Sequence, residues 1–321
     1  MKQGLFESRH EAEWQTFDGL LQKLESSSSR KAATLPQCDQ FPDLYRRLCH
    51  QYALACERAY GMALQQRLNN LVIRGHRQLY RFRKPLWASL LQLLAADFPR
   101  TVRAMWRWQL CSLAVFAGSL ALVWVLVLQQ PELVYSVIDE GTLETMEYLY
   151  EPGSEVHDQR DASDDVMMFG YYISNNIGIA FRTFGSGLFL GIGSLLVMLF
   201  NGSLFGAIAA HLTNVGSHEP FFTFVVAHGA PELTAIVLAG GAGLRLGLSL
   251  LAPGPYSRLD ALKLAASDSL PVVYGCFFLL LGAAFIEAFW SPRQFDPVIK
   301  YSVGAVSWIL VVAYLLLAGR R

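Results

Sequence analysis

Charge is what the second half of this sequence lacks. After residue 165 charged side chains become sparse and long apolar runs take their place, which excludes an ordinary water-soluble fold for that region. Cysteine is scarce too. The five residues Cys38, Cys49, Cys56, Cys111 and Cys276 form no C-x-x-C pair and are odd in number, so they read as reduced packing residues and not as a disulfide frame or a zinc ribbon. There is no Walker motif, no dinucleotide glycine fingerprint, no G-x-S-x-G elbow and no H-E-x-x-H pair. Nothing therefore supports ATP hydrolysis or serine-hydrolase chemistry, and no enzyme activity and no cofactor are expected. The basic N-terminal part lacks the aromatic and glycine patterns of nucleic-acid modules, so no nucleic-acid partner is expected. The opening residues also lack a basic stub followed by an apolar core, which predicts an N-terminus that stays in the cytoplasm.

What is present is strongly segregated. The formal net charge is zero, but residues 1–108 are basic, most densely from Arg74 to Arg107, while Glu132 through Asp165 are acidic with Arg160 the one basic residue. Residues 6–24 have helical periodicity, with Trp14, Phe17, Leu21 and Leu24 on one face. A polar linker from Ser26 to Pro36 follows. A second amphipathic stretch carries Tyr45, Leu48, Tyr52 and Ala55, and runs on with a bend at Gly61 through Leu64, Leu68 and Leu71 until Pro85 interrupts it. Residues 86–98 form a short apolar face. It reads either as a core helix or as a helix in the cytoplasmic interface, with Arg83, Lys84, Arg100, Arg103 and Arg107 near anionic lipid headgroups.

The fold class is therefore all-α: a polytopic helical membrane protein with about six transmembrane helices, one broken or re-entrant segment, and an N-terminal cytoplasmic helical domain. Residues 1–105 are assigned to that amphipathic domain and 106–321 to the membrane. Spans are expected at 109–128, 178–200, 202–213, 232–251, 271–290 and 301–318, with an acidic extracytoplasmic segment at 129–168. Basic residues before the first span and acidic ones after it place both termini inside by the positive-inside rule. Asp158, Asp161, Asp164 and Asp165 lack the spacing of a calcium loop and read as a solvated acidic face. Asn201-Gly202 reads as a tight break, and Phe221 to Ala230 as a re-entrant or interfacial segment. Three G-x-x-x-G pairs, Gly187/Gly191, Gly202/Gly206 and Gly243/Gly247, together with Gly240, predict close helix contact, either within a compact bundle or across a homodimer.

The polar residues of the membrane region are Asn175, Asn176, Asn201, His228, Pro231, Glu232 and Arg245. Pro231 suits the first turn of a helix, where its missing donor costs nothing, and Glu232 lies near the positive end of the helix dipole. That is a structural role. The functional alternative is a proton, ion or metal site, since buried carboxylates in spans mark pathways. His228 and Glu232 lie one turn apart, and His211, Asn201, Asn175 and Glu287 are possible additions. No third ligand is fixed by spacing, so no metal site is assigned. Arg245 either snorkels or pairs with an acid on a neighbouring span. Glu287 and Arg182 read as interface residues at the outer ends of their spans.

The run His228-Gly229-x-x-Glu232-Leu233-x-Ala235-Ile236-x-x-Ala239-Gly240-x-Ala242-Gly243-Leu244-x-x-Gly247 resembles the signature of the stage II sporulation protein M family. Asn175-Asn176, the Gly187–Gly193 run and Asn201-Gly202 resemble that family's earlier segments, in order. The opening FESRHEAEWQTFDGLL and Phe98-Pro99-Arg100 resemble its longer, non-sporulation members. The resemblance implies a non-catalytic scaffold or assembly protein of the bacterial cell envelope, in the cytoplasmic (inner) membrane. The sporulation namesake holds peptidoglycan-degrading partners, and longer relatives are often encoded beside MoxR-type AAA+ ATPases and von Willebrand factor A-domain proteins. Such proteins, envelope enzymes, membrane lipid and a second copy of the chain are the implied partners. A channel or transporter built around His228 and Glu232 is the alternative, and a lipid- or peptide-handling membrane enzyme a third reading.

Overall fold

The computed structural model describes residues 2–26, 40–81, 86–153 and 161–320. The expected polar linker after Ser26, Cys38, the interruption at Pro85 and Asp158 lie outside them. Every regular element among the described residues is helical. The chain divides into two compact units, Met1–Ser89 and Leu90–Arg321.

The first unit contains α1 (Gln3–Ser26), α2 (Phe41–Glu57) and α3 (Met62–Arg81). Phe6, Trp14, Phe17, Leu21 and Leu24 of α1 recur at helical spacing and close on Phe41, Leu48 and Ala55 of α2 and on Leu64, Leu68 and Leu71 of α3. The expected bend at Gly61 is a full reversal. Ala59 takes a left-handed φ of 48°, and Gly61 N–H donates to Gln3 Oε1 at 2.9 Å. Gly75 of α3 then lies against the rings of Tyr45 and Phe17, where a side chain would collide. The buried polar groups of Trp14 and Gln51 are satisfied: Trp14 Nε1 donates to Gln51 Oε1 at 2.7 Å, and Gln51 Nε2 donates to Glu13 at 2.7 Å. Around the rim, Arg67 grips Glu11 with two bonds of 2.7 and 2.8 Å, and Arg74 bridges Glu25 and Asp18. These guanidinium bonds hold the Glu11 and Glu25 carboxyls below their ordinary value.

The boundary between the units falls within α4 (Leu86–Gln92); a π-helical turn over Leu93–Asp97 and α5 (Phe98–Ala104) follow in the second unit. Leu86, Trp87, Leu90 and Leu91 are exposed, so the core-helix reading of this stretch fails, while Phe98 is buried against Gly275. Arg100 and Arg103 reach the end of the chain's last helix. Arg103 donates to the carbonyls of Leu315 and Ala318, and Arg100 donates to that of Gly319, so both cap the C-terminal end of the last helix.

The body of the unit comprises α6 (Trp106–Gln129), α7 (Glu140–Leu149), α8 (Ala162–Gly185), α9 (Ile192–Asn214), the short α10 (His218–Val225), α11 (Gly229–Leu251), α12 (Arg258–Phe289) and α13 (Pro297–Leu317). Among the described residues five helices, α6, α9, α11, α12 and α13, are long and apolar enough to cross a membrane. α8 matches them in length but carries Asp164, Asp165, Asn175, Asn176 and Arg182. It packs antiparallel to α12, with Asp165 meeting Arg293 and Asn176 meeting Glu287.

Three expected boundaries are corrected. The single span at 178–200 does not exist. The chain reverses after α8, with positive φ at Leu190 (55°) and Gly191 (83°), and Ser194 Oγ donates to the Thr183 carbonyl at 2.6 Å to close the helix end. Arg182 consequently sits in the last turn of α8, at the opposite end of that helix from Asp161. Asn201-Gly202 is not a break: Asn201 Nδ2 donates to the Val197 carbonyl inside a continuous α9, so 202–213 is the second half of that helix. The span expected to start at Pro271 starts at Arg258, because the Ser257 side chain caps Asp260 N–H at 3.1 Å and the helix runs through the proline.

Bare backbone holds the unit together. Gly187 lies on the backbone of Gly243, Gly191 on Gly247, Gly202 on Phe116 and Ser119, Gly206 on Leu120, and Gly240 on Ser112 and Met198. The glycine faces are thus filled within one chain and are not available as a dimer contact. Ala in place of Gly187 or Gly247 is expected to lower stability by at least about 1–3 kcal/mol. Gly118→Ala and Gly282→Ala, where a Cβ meets nothing within 4 Å, are expected to leave it unchanged or raise it by up to about 1 kcal/mol. Thermal melting of the four variants in detergent checks this contrast. A second expectation concerns acid. Because Glu11 and Glu25 titrate below their unfolded value of 4.5, their contribution is fully present above that pH and is lost as pH falls through the depressed values. Amide-exchange protection of α1 and α3, corrected for intrinsic rates, should fall in this window, and less so in Arg74→Ala.

Candidate functional site

α11 starts where the sequence places its proline. Pro231 occupies the first turn, and Glu232 N–H donates to the His228 carbonyl at 3.1 Å. His228 precedes the first helical residue, so His228 and Glu232 project from one face, one turn apart. The His228 ring is buried, edge-on to Phe224 at 5.4 Å. Its Nδ1 is 2.9 Å from Ser291 Oγ, and Lys300 Nζ donates to the Ser291 carbonyl at 2.9 Å. The other ring nitrogen, Nε2, lies 3.9 Å from Glu232 Oε2.

α12 delivers the third member. Glu287, in its final turns, brings a carboxylate oxygen to the same place, and one ligand atom from each of His228, Glu232 and Glu287 lies within 4.8 Å of the others. α8 supports Glu287 from the far side: Asn176, itself buried, donates from Nδ2 to Glu287 Oε2 at 3.4 Å, and Asn175 Nδ2 donates to Asn176 Oδ1 at 3.0 Å. Two carboxylate oxygens and one imidazole nitrogen therefore face one another within 4.8 Å.

The other sequence candidates lie elsewhere. His211 bonds Glu147 at 2.6 Å and ties α9 to α7. Asn201 bonds its own helix. Arg245 pairs with Asp268 of α12, toward the opposite end of the bundle. Asp165 was expected on a solvated face but is only 2% exposed in its side chain, paired with Arg293. Asp161 caps α8, accepting from Ser163 Oγ–H at 2.7 Å, Asp164 N–H at 2.9 Å and Ser163 N–H at 2.7 Å, and those bonds, the Ser163 hydroxyl's first, hold its carboxyl below the usual range. Ser291 and Lys300 were not singled out from sequence. No motif marks them, and only the short turn between α12 and α13 brings them to His228.

A family model for stage II sporulation protein M matches residues 112–292, more than half of the chain. The chain belongs to the stage II sporulation protein M family. The match runs from α6 to just past α12, so His228, Glu232, Glu287, Asn176 and Ser291 all fall inside it. A second family model, for a domain of unknown function (DUF8413), matches residues 4–81 and covers the three helices of the first unit. Comparison with curated proteins and with solved structures gave no match.

For this stage II sporulation protein M family member, the Asp165–Arg293 pair is expected to be asymmetric. Arg293→Ala strands a buried carboxylate and should cost about 3–5 kcal/mol, whereas Asp165→Asn, which removes the charge and keeps the shape, should cost clearly less. Denaturant or thermal unfolding of both variants at neutral pH checks the order.

Proposed function

We propose that the protein is a non-catalytic membrane scaffold of the bacterial cell envelope, holding partner proteins against its cytoplasmic unit and its acidic outer segment. In this reading α8 is a sixth crossing, and both termini are cytoplasmic. The charge distribution supports it. Arg100, Arg103, Arg107, Arg182, Arg245, Arg258 and Lys263 belong to one set of helix ends, and Glu132, Glu140, Glu144, Glu147, Asp161 and Asp165 to the other.

The observation that carries the scaffold reading is a groove of about 1070 Å³ in the first unit, lined by Arg9, Arg46, Arg47, His50 and Arg58 among others. Glu13 and Asp43 answer Arg47 and Arg46, which leaves a net positive cleft suited to an acidic stretch of a partner protein. The alternative, a conduit through the break before α11, is disfavoured by the packing. Helices α6, α9 and α11 approach closely at their glycines, and Ser112 Oγ of α6 donates to the Val237 carbonyl of α11 at 2.7 Å, so opening a path there breaks these contacts.

Full-length protein in nanodiscs, co-expressed with MoxR-type ATPases and von Willebrand factor A-domain proteins from the same cell, tests this reading. Retention of a partner that is lost in Arg9→Glu/Arg46→Glu/Arg58→Glu and weakened as salt rises past the ~10 Å screening regime is the expected outcome. Ion or solute flux in liposomes that depends on Glu232, with no partner retained, would establish the conduit instead.

A further inference from the structure

We infer that His228, Glu232 and Glu287 form a binding site for one divalent transition-metal cation, zinc in the first instance, which clasps the start of α11 to the end of α12.

Geometry carries this step. The three donor atoms come from two antiparallel helices and converge within 4.8 Å before any ion draws them in. Zinc bonds of about 2.0–2.2 Å put tetrahedral ligands about 3.4 Å apart, so closure by roughly an ångström of side-chain rotation completes the site. The His228–Glu232 separation is already 3.9 Å. The imidazole is held as a metal-ligating histidine is held: one ring nitrogen is fixed by a hydroxyl, Ser291 Oγ at 2.9 Å, and the other faces the carboxylates. Glu287 has the matching support in Asn176 Nδ2 at 3.4 Å. Lys300 is directed to the Ser291 carbonyl, so it braces the histidine's support.

Chemistry selects the ion. One imidazole and two carboxylates suit zinc and its first-row neighbours; calcium and magnesium favour all-oxygen shells. Two negative charges and one neutral ring balance a dication without a further counter-ion. A fourth position stays open to water. In the family context this site acts as a structural clasp, independent of whether the protein recruits partners.

The test uses full-length protein in detergent, stripped with chelator and titrated with zinc, with bound metal measured by elemental analysis after gel filtration and affinity by calorimetry. One zinc per chain is expected, with a raised melting temperature. Glu232→Gln and Glu287→Gln, which keep shape, should each weaken binding at least 10-fold and abolish the thermal shift, and Ser291→Ala should weaken it by about 10-fold through the freed imidazole. Zinc-edge X-ray absorption on the wild type should report nitrogen and oxygen ligands without sulfur. The assignment is overturned by well-folded wild type that retains no stoichiometric zinc, by unchanged affinity in both glutamine variants, by sulfur ligation, or by saturation with magnesium in preference to zinc.

Discussion

The membrane unit depends on one kind of contact, the meeting of bare backbones. The turn between α8 and α9 lies directly on the C-terminal half of α11, Gly187 against Gly243 and Gly191 against Gly247. In lipid, apolar side chains gain little by leaving hydrocarbon for one another, so helices associate through close packing and interhelical hydrogen bonds. Small residues permit that approach. Ser112 Oγ donating to the Val237 carbonyl at 2.7 Å, and Ser194 Oγ to that of Thr183, add the polar half of the same principle. Because the turn is seated there, α8 returns alongside α12, and Asn176 comes within reach of Glu287.

The polar cluster is a consequence of that seating. α11 contributes His228 and Glu232 because a proline-tolerant first turn sets their register, and α12 contributes Glu287 because its long helix, capped at Ser257, delivers its last turns to the same depth. Neither helix alone carries a site. The short turn after α12 then supplies Ser291, and the first turn of α13 supplies Lys300. Several charges of this unit are answered locally: Asp165 by Arg293, Arg245 by Asp268 and Glu147 by His211. The first unit, by contrast, has an apolar helical core ringed by arginine–carboxylate pairs.

Periodicity made much of this legible. The apolar stripe of Trp14, Phe17, Leu21 and Leu24, the uncharged run of α6 and the proline-led start of α11 all announce themselves in sequence, because in each case one local pattern determines one local structure. The reversal at Leu190–Gly191 does not. Phe184 to Phe200 is apolar on both sides of the turn, and hydropathy has no means of distinguishing a turn seated on another helix from a helix surrounded by lipid; only the density of glycines hints at it. Pro271 misled in the opposite sense, since a proline deep in a helix looks like a helix start when the true cap, Ser257, lies upstream among charged residues. The glycine pairs were legible as close contacts but silent on whether the facing surface belonged to the same chain. Glu287 was one of four possible additions to His228 and Glu232, and no spacing rule selects it, because its convergence with them is tertiary.

The reversal between α8 and α9 is the point on which the arrangement of the whole membrane unit turns, and side-specific labelling measures it directly. In a chain whose native cysteines are replaced, single cysteines at Ser163, Leu190 and Arg258 are reacted with a membrane-impermeant maleimide in sealed vesicles of known orientation. Leu190→Cys and Arg258→Cys should label from one side and Ser163→Cys from the other. Labelling of Leu190→Cys from the same side as Ser163→Cys would contradict the reversal, and with it the packing that assembles the site.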